Sequence, residues 1–450
     1  MGHIRCSFVA ATLLAFDDTD SPDGMCTTFL ATLILKELED YDLIGLPRLV
    51  RLNPNIPWKT RGNAAICLPL GEGRGDATVC GEIDGSPVRS FERGTPVLSS
   101  VMLDAAAKVL ERVAEFECEK TNPGIVCTNR RPPPRMYWQT VRSVVELADV
   151  EACLAECGAS WKKYKNGRGI IGAASAASWR PQDRTWEVIA YRDTSLVGTP
   201  RAIDPKSVVE MDRRTAHTFN NYDYEMKHVA ITPASPCPVL FGIRGDSPEE
   251  LLEARQMIRG EAPSSWLLFL TNQGTDDHIL SRRIHELAPG MSVRISARVV
   301  RQASTIEGGH VIIRISDGDE VDAAFYEPSG SLRGVARKLV AGDHVIVFGS
   351  VREEPRTINV EKLQIVGLQE MRVKRSNPVC PSCSKRMGSM GAGQGYRCKV
   401  CGERMPASAA EAVTVPRGVT TGWYEPPVAS RRHLYKPIRR MTRENINNLL

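Results

Sequence analysis

Residues Ala15–Thr28 read AFDDTDSPDGMCTT, with Asp17, Asp18, Asp20 and Asp23 close together and Thr27–Thr28 ending the stretch. The apolar run SFVAATLLAF leads into it and FLATLILKEL follows, so the local order is strand, acidic loop, helix. Carboxylates crowded into one loop repel one another, and the loop costs stability unless a cation lies among them. Two readings compete. In one, the aspartates cap the next helix, whose N-terminus favours negative charge, although one or two suffice for that. In the other, Asp17 and Asp20 hold Mg²⁺ through oxygen, and nucleotide phosphates complete the shell. Thr27 and Thr28 then fall in the first helical turn, where backbone N–H groups bind anions and a hydroxyl can receive a phosphoryl group.

Outward from this loop, 450 residues are too many for one core. Composition is that of a soluble globular protein, with 42% hydrophobic and 25% charged residues. The net charge of +5 is mild and names no partner, but a basic cluster lies near the C-terminus. No apolar run is long enough for a membrane helix, which needs about 18 residues. The run from Phe8 to Phe16 meets the acidic loop at once, with no cleavage pattern between, and reads as a buried strand. Nine of the thirteen cysteines are scattered between Cys6 and Cys237, which fits a reducing, cytoplasmic setting.

Residues 1–120 alternate apolar runs with helical patterns, including an amphipathic helix over Asp104–Phe116. RRPPPR then marks a boundary or crossing loop. Residues 121–288 repeat the mixture, with TWEVIAYR and PVLFGIRG as strands and DSPEELLEARQMI as a helix. That helix has Ser247 as N-cap, Pro248 at its first position and Glu250 to close a capping box. Over 289–368 the pattern becomes five short strands with one helix, SLRGVARKLV, between the third and fourth. This predicts an OB-fold barrel, another small β-barrel being the alternative. The fold class is multidomain α+β.

Residues 376–406 carry CPSC and CKVC, placing Cys380, Cys383, Cys398 and Cys401 as two knuckles. Four thiolates at this spacing suit a structural Zn²⁺ with no open position. In the 407–450 tail, Arg431, Arg432, Lys436, Arg439 and Arg440 interleave with His433 and Tyr435. Phosphate contacts plus a stackable ring suit RNA, while a solvated basic tail is the plainer reading. In NPNIPWKTRGNAA, Lys59 and Arg61 can neutralise phosphates, and Gly62 and Asn63 permit close backbone approach. KNGRGIIGAASAASW is either a ligand wall or tightly packed helix, and TNQGTDDH either a polar ligand site or a surface turn.

Taken in order, FDDTDSPDGMCTT, IPWKTRGNAA, NGRGIIGAASA, FNNYD, PVLFGIRG, TNQGTDDH, the barrel, the ribbon and RHLYKP resemble the archaeal tRNA 2-agmatinylcytidine synthetases over nearly the whole chain. The resemblance implies a kinase-like α/β domain, a ferredoxin-like domain, an OB-fold and a zinc ribbon. It also implies replacement of the C2 oxygen of the wobble cytidine by agmatine, in the CAU anticodon of isoleucine tRNA, so that the tRNA reads AUA. ATP is expected to yield AMP and pyrophosphate, with Thr27 phosphorylated. Asp17, Asp18 and Asp20 would position Mg²⁺ and triphosphate, helped by Thr19, Gly24, Thr28, Lys59, Arg61, Gly62 and Asn63. Gly169, Gly172, Ala173 and Ala174 are the expected wall of the agmatine pocket. No protein partner or membrane is implied. The rival reading is a non-catalytic single-stranded nucleic-acid binder built on barrel and ribbon, against which the acidic loop argues.

Overall fold

The computed structural model describes residues 7–97 and 99–441. One eleven-stranded sheet runs through the first two expected domains. Along its main path the strands lie in the order Ser160–Lys163, Gly124–Arg131, Ser7–Asp17, Ala64–Ile83, Arg48–Arg51, Ser265–Thr271, Thr185–Tyr191, Val239–Gly245 and Thr218–Phe219.

The opening strand is central. It pairs antiparallel with Ala64–Ile83 on one side and Gly124–Arg131 on the other, which is why it reads as an unbroken apolar run. Its alternate residues serve different cores. Leu14 and Phe16 face Leu30 and Ile34 of helix Thr27–Glu37, together with Met102 and Leu110 of helix Ser99–Val113. Leu13 and Ala15 face Ile170, Ala173 and Ala174 of helix Gly169–Ser178. The helix expected over Asp104–Phe116 begins earlier, at Ser99, because buried Met102 and Leu103 extend its apolar face.

Strand pairing corrects the boundary expected at residue 120. Gly124–Arg131 lies beside the opening strand, and Ser160–Lys163 lies beside Gly124–Arg131. A division at 120 would part these strands from the opening strand, whose residues share their cores with Ile125, Val126 and Cys127, so the first unit continues past residue 120. The second unit packs Val208, Met211, Leu251 and Ala254 of two helices against Val188, Ala190 and Leu268 of its strands. Ser247 caps the second of those helices, accepting from the Glu250 amide at 3.2 Å. The Glu250 carboxylate does not close the capping box, since it accepts from His217 instead.

Over Ser292–Gly367 five strands close into a ring. Each pairs with its neighbours, and Glu320–Phe325 joins Thr357–Gly367 in parallel. Helix Ser331–Ala336 lies between the third and fourth strands, as an OB barrel requires.

The chain after the ribbon is not a tail. Gly422–Tyr424 adds a strand to the barrel, and the following segment crosses back over the large sheet, where Leu434 joins the core of the first unit. Residues 442–450, the end of the expected basic tail, lie outside the described residues. No described helix is long and apolar enough to cross a membrane.

Candidate active site

The opening strand ends at Asp17, and the chain turns through Asp18, whose φ of 57° lies in the left-handed region. This turn delivers Asp17, Asp18 and Asp20 to one cavity, lined also by Thr27, Trp58, Lys59, Arg61, Asn63, Arg168 and Gly172. Asp23 is exposed and takes no part.

Asp20 does what the capping reading asked, and more. Its Oδ1 accepts from the Thr27 amide and, at 2.8 Å, from the Thr27 hydroxyl. Buried Thr19 donates to the same hydroxyl oxygen at 3.0 Å. The Thr27 proton therefore points at a carboxylate, in a residue that lines the cavity. Burial, and then Asp18, hold the Asp17 carboxyl well above the usual carboxylate range. Burial and Asp20 push Asp18 up to about 6. The site is short of positive charge on this side.

Arg61 supplies part of it. Its Nε lies 3.3 Å from Asp20, and its Nη1 donates to Ser235 of the second unit at 3.0 Å. Beyond Arg61 lies a second cavity, lined by Cys26, Thr28, Arg51, Gly62, Glu187, Cys237, Arg244, Arg431 and His433 among others. Asp20, Thr27 and Arg61 line both cavities, so Thr27 stands where the two chambers meet.

Several expected site residues hold other posts. Gly24 packs against Glu115, whose Oε1 accepts from the Met25 amide at 3.1 Å, and lines neither cavity. Gly169, Ala173 and Ala174 are packing residues. A Cβ on Gly169 would lie 2.2 Å from the Gly124 nitrogen, and both alanines are wholly buried in the core. Only Gly172 reaches the cavity, where a Cβ would come within 1.8 Å of Asp17 Oδ2. The small-residue run is thus the price of bringing a helix against the acidic strand end.

The expected RNA-binding tail is corrected most. Arg440 is buried between Asp183 at 2.7 Å and Asp246 at 2.6 Å. Lys436 pairs with Asp183, Arg431 with Glu425 and Arg432 with Glu361. Arg439 donates to the Thr215 carbonyl, and buried Tyr435 donates to Glu425. Arg440, Lys436, Arg431 and Arg432 are thus paired with carboxylates of the protein and form a strap, from which Arg439 stands exposed. His433 enters the second cavity rather than solvent. TNQGTDDH is neither a ligand loop nor a surface turn but a buried hub. Asn272 bonds the Arg51 backbone, Gln273 bonds Glu187 and His433, and Asp276 pairs with Lys362.

Glu187, Arg51, Trp58 and Arg168 were not singled out in the sequence. Nothing in a strand sequence such as TWEVIAYR marks Glu187 as buried at a cavity rather than exposed. Trp58 stands on the rim of the acidic cavity, with the Arg168 guanidinium 4.7 Å above its ring.

In the ribbon, the four cysteine sulfurs lie within 4.8 Å of one another, with Cys380–Cys401 and Cys383–Cys398 each at 3.4 Å. A tetrahedron of Zn–S bonds near 2.3 Å has edges of about 3.8 Å, so the set fits one Zn²⁺. Among the described residues these cysteines are the one group of three or more ligating side chains so gathered. Asp17, Asp18 and Asp20 do not form such a group.

The TiaS TCKD domain family matches residues 13–166, the TiaS FLD domain family 167–278 and the TiaS C-terminal zinc ribbon family 377–419. A relative from Methanocaldococcus jannaschii, named as the isoleucine-tRNA 2-agmatinylcytidine synthetase TiaS, is 39% identical, with 94% of this chain and 97% of that one covered. The chain belongs to the TiaS family. A second TiaS relative, from Methanosarcina acetivorans, is 40% identical over 96% of this chain and 98% of its own. Among solved structures, a complex of TiaS with isoleucine tRNA and ATP superposes with a TM-score of 0.81 at 35% identity, covering 98% of both chains. A complex of TiaS with the same tRNA, AMPCPP and agmatine gives 0.80 at 33% identity, again covering 98% of both. The TiaS division between residues 166 and 167 agrees with the strand pairing, which carries the first unit past residue 160.

Proposed function

We propose that this chain is an ATP-dependent tRNA-modifying ligase that joins agmatine to C2 of the wobble cytidine in the CAU anticodon of isoleucine tRNA. The observation that carries the reading is the Thr27 hydroxyl held on Asp20 where two cavities meet, in a chain related end to end to agmatinylcytidine synthetases.

The chemistry explains the arrangement. A cytosine C2 carbonyl is a poor electrophile because oxide is a poor leaving group. Phosphorylation of that oxygen lets it depart as phosphate when a primary amine attacks C2. The work left to the protein is positioning and charge stabilisation. Lys59, Arg61 and Arg168 face the triphosphate, and Asp20 accepts the proton of Thr27 as that hydroxyl takes up a phosphoryl group. Asp17 and Asp20 fit Mg²⁺, which when bound neutralises phosphate charge. We read ATP as cleaved to AMP and pyrophosphate, one phosphoryl group of which passes to the C2 oxygen and leaves with it as phosphate while the other is released as phosphate. We read the first unit as kinase-like and the second as ferredoxin-like. A pure nucleic-acid binder gives no account of a threonine hydroxyl aimed at a carboxylate inside a cavity.

The test is transfer of labelled agmatine to unmodified CAU-anticodon isoleucine tRNA with ATP and Mg²⁺. Label on the tRNA, lost in Asp20→Ala, supports the reading. Intact tRNA binding without label removes it.

A further inference from the structure

His433, on the C-terminal strap, is held in one tautomer by two buried neighbours. Glu187 is almost wholly buried, and accepts from Arg244 Nε at 3.0 Å and from the side-chain nitrogen of Gln273. An ionised carboxylate only accepts hydrogen bonds, so the Gln273 nitrogen must face Glu187 and its carbonyl oxygen must face the other way. That oxygen lies 2.9 Å from His433 Nδ1. A carbonyl oxygen also only accepts, so the proton sits on Nδ1 and Nε2 is left with a bare lone pair.

Nε2 makes no hydrogen bond among the described residues. It lies beside Gly62, where a Cβ would come within 3.0 Å, so the glycine keeps the lone pair open to the second cavity. Burial, and then the Arg51 and Arg244 guanidiniums, hold the imidazole well below its usual range, so it stays neutral at pH 7. The result is a fixed hydrogen-bond acceptor that does not protonate.

The surroundings decide what it accepts from. Arg51, Arg61, Arg244 and Arg431 line the same cavity with two acids. Both acids are already engaged, Glu187 by Arg244 and Gln273 and Asp20 by Arg61 and Thr27, while Arg431 pairs with Glu425. With both acids engaged and four guanidiniums to two carboxylates, the chamber offers the positive ends of a diamine no free partner. A nucleotide suits it, with phosphodiester oxygens toward the guanidiniums and a neutral exocyclic amino group toward the lone pair.

We propose that His433 is a specificity residue, whose Nε2 accepts a hydrogen bond from the 4-amino group of the target cytosine and so selects cytosine over uracil. Uracil presents a carbonyl oxygen at that position, and two lone pairs would face each other. Gln273 and Glu187 act through His433 as positioning residues. The inference rests on cytidine being the base modified.

The test compares three tRNAs carrying, at the wobble position, cytidine, uridine or 2-pyrimidinone ribonucleoside, which lacks the amino group. Sites built around a substrate hydrogen bond reject analogues lacking it by large factors. The wild type should therefore favour cytidine over 2-pyrimidinone by about 10²-fold or more in kcat/KM. His433→Ala should slow cytidine and leave 2-pyrimidinone within a few-fold, so that the ratio collapses by at least about 10-fold. Gln273→Leu keeps His433 but frees its tautomer, and should lower the ratio in the same direction. If His433→Ala does not fold, His433→Phe carries the same comparison. Equal slowing on both substrates, or an unchanged ratio, overturns the assignment of His433 while leaving the ligase reading intact. A wild-type enzyme that modifies none of the three overturns the ligase reading itself.

Discussion

The Thr27 hydroxyl donates to Asp20 Oδ1 at 2.8 Å, and the same oxygen accepts from the Thr27 amide. One carboxylate thus caps the helix and holds the proton of the hydroxyl that would receive phosphate. General-base assistance of this kind contributes about 10²–10⁴-fold. Asp20→Asn should keep the cap, since its amide oxygen still accepts, yet lower phosphorylation of Thr27 by about that factor. Thr27→Ala should abolish it. Both are read by incorporation from γ-labelled ATP and phosphopeptide mapping. Full labelling of Thr27→Ala would move the acceptor elsewhere.

Gly172 packs directly on Asp17 at the wall of the acidic cavity. A Cβ there would lie 1.8 Å from Asp17 Oδ2, and both residues belong to packed elements that do not yield readily. Gly172→Ala should cost about 1–3 kcal/mol in stability. It should cost ATP binding far more than that figure suggests, because the carboxylate itself is what moves. Gly167→Ala, on the loop before the same helix, serves as control for stability alone. Nucleotide titration beside thermal unfolding separates the two effects, and equal losses in both variants would argue against displacement of Asp17.

The local part of this architecture was legible in the sequence. An apolar run ending in aspartates and followed by a helix gave strand, loop and Thr27 in the first turn, because those signals lie within one stretch of chain. Alternating short strands gave the barrel, and paired CxxC knuckles gave the ribbon. What escaped depends on partners far away in sequence. The arginines of the strap read as phosphate ligands because their acceptors, Asp183, Asp246, Glu361 and Glu425, are scattered single residues. The small residues from Gly169 to Ala174 looked like a ligand wall, since composition alone does not distinguish close packing from close approach of a ligand. Only contact with Gly124 and Asp17 separates Gly169 from Gly172.

The ribbon should carry one zinc per chain. Its strands are pairs of residues, such as Tyr396–Arg397 against Arg404–Met405, and its buried cluster is small. A core of that size does not hold a fold without metal. Cys398→Ser should lose the zinc and the order of residues 377–405, while the barrel, with its own core, stays folded. Metal analysis with hydrogen exchange across the two units checks both halves. Exchange protection surviving in the zinc-free ribbon would count against the metal as its organiser.

The strap is held by charge, and pH should release it. Although burial opposes its ionisation, Arg440 and then Lys436 hold the Asp183 carboxyl below the usual carboxylate range. A depressed folded-state value means that the ionised form favours the folded protein. The stabilisation is complete above the ordinary carboxylate value, near 4, and is lost as pH falls through the lower folded value. Arg440 is the tighter anchor, since it also engages Asp246 and the Gly274 carbonyl. Removing it leaves two partly buried carboxylates without their shared cation, a loss of about 3 kcal/mol. Arg440→Met should therefore loosen residues 425–441 at neutral pH much as acid does in the wild type. Because His433 lies on the same strap, the variant should also weaken whatever the second cavity binds. Hydrogen exchange of 425–441 between pH 3 and pH 7 in both proteins is the measurement. A wild-type strap equally protected at both ends of that range would show that packing of Leu434 and Tyr435, rather than the ion pairs, holds it down.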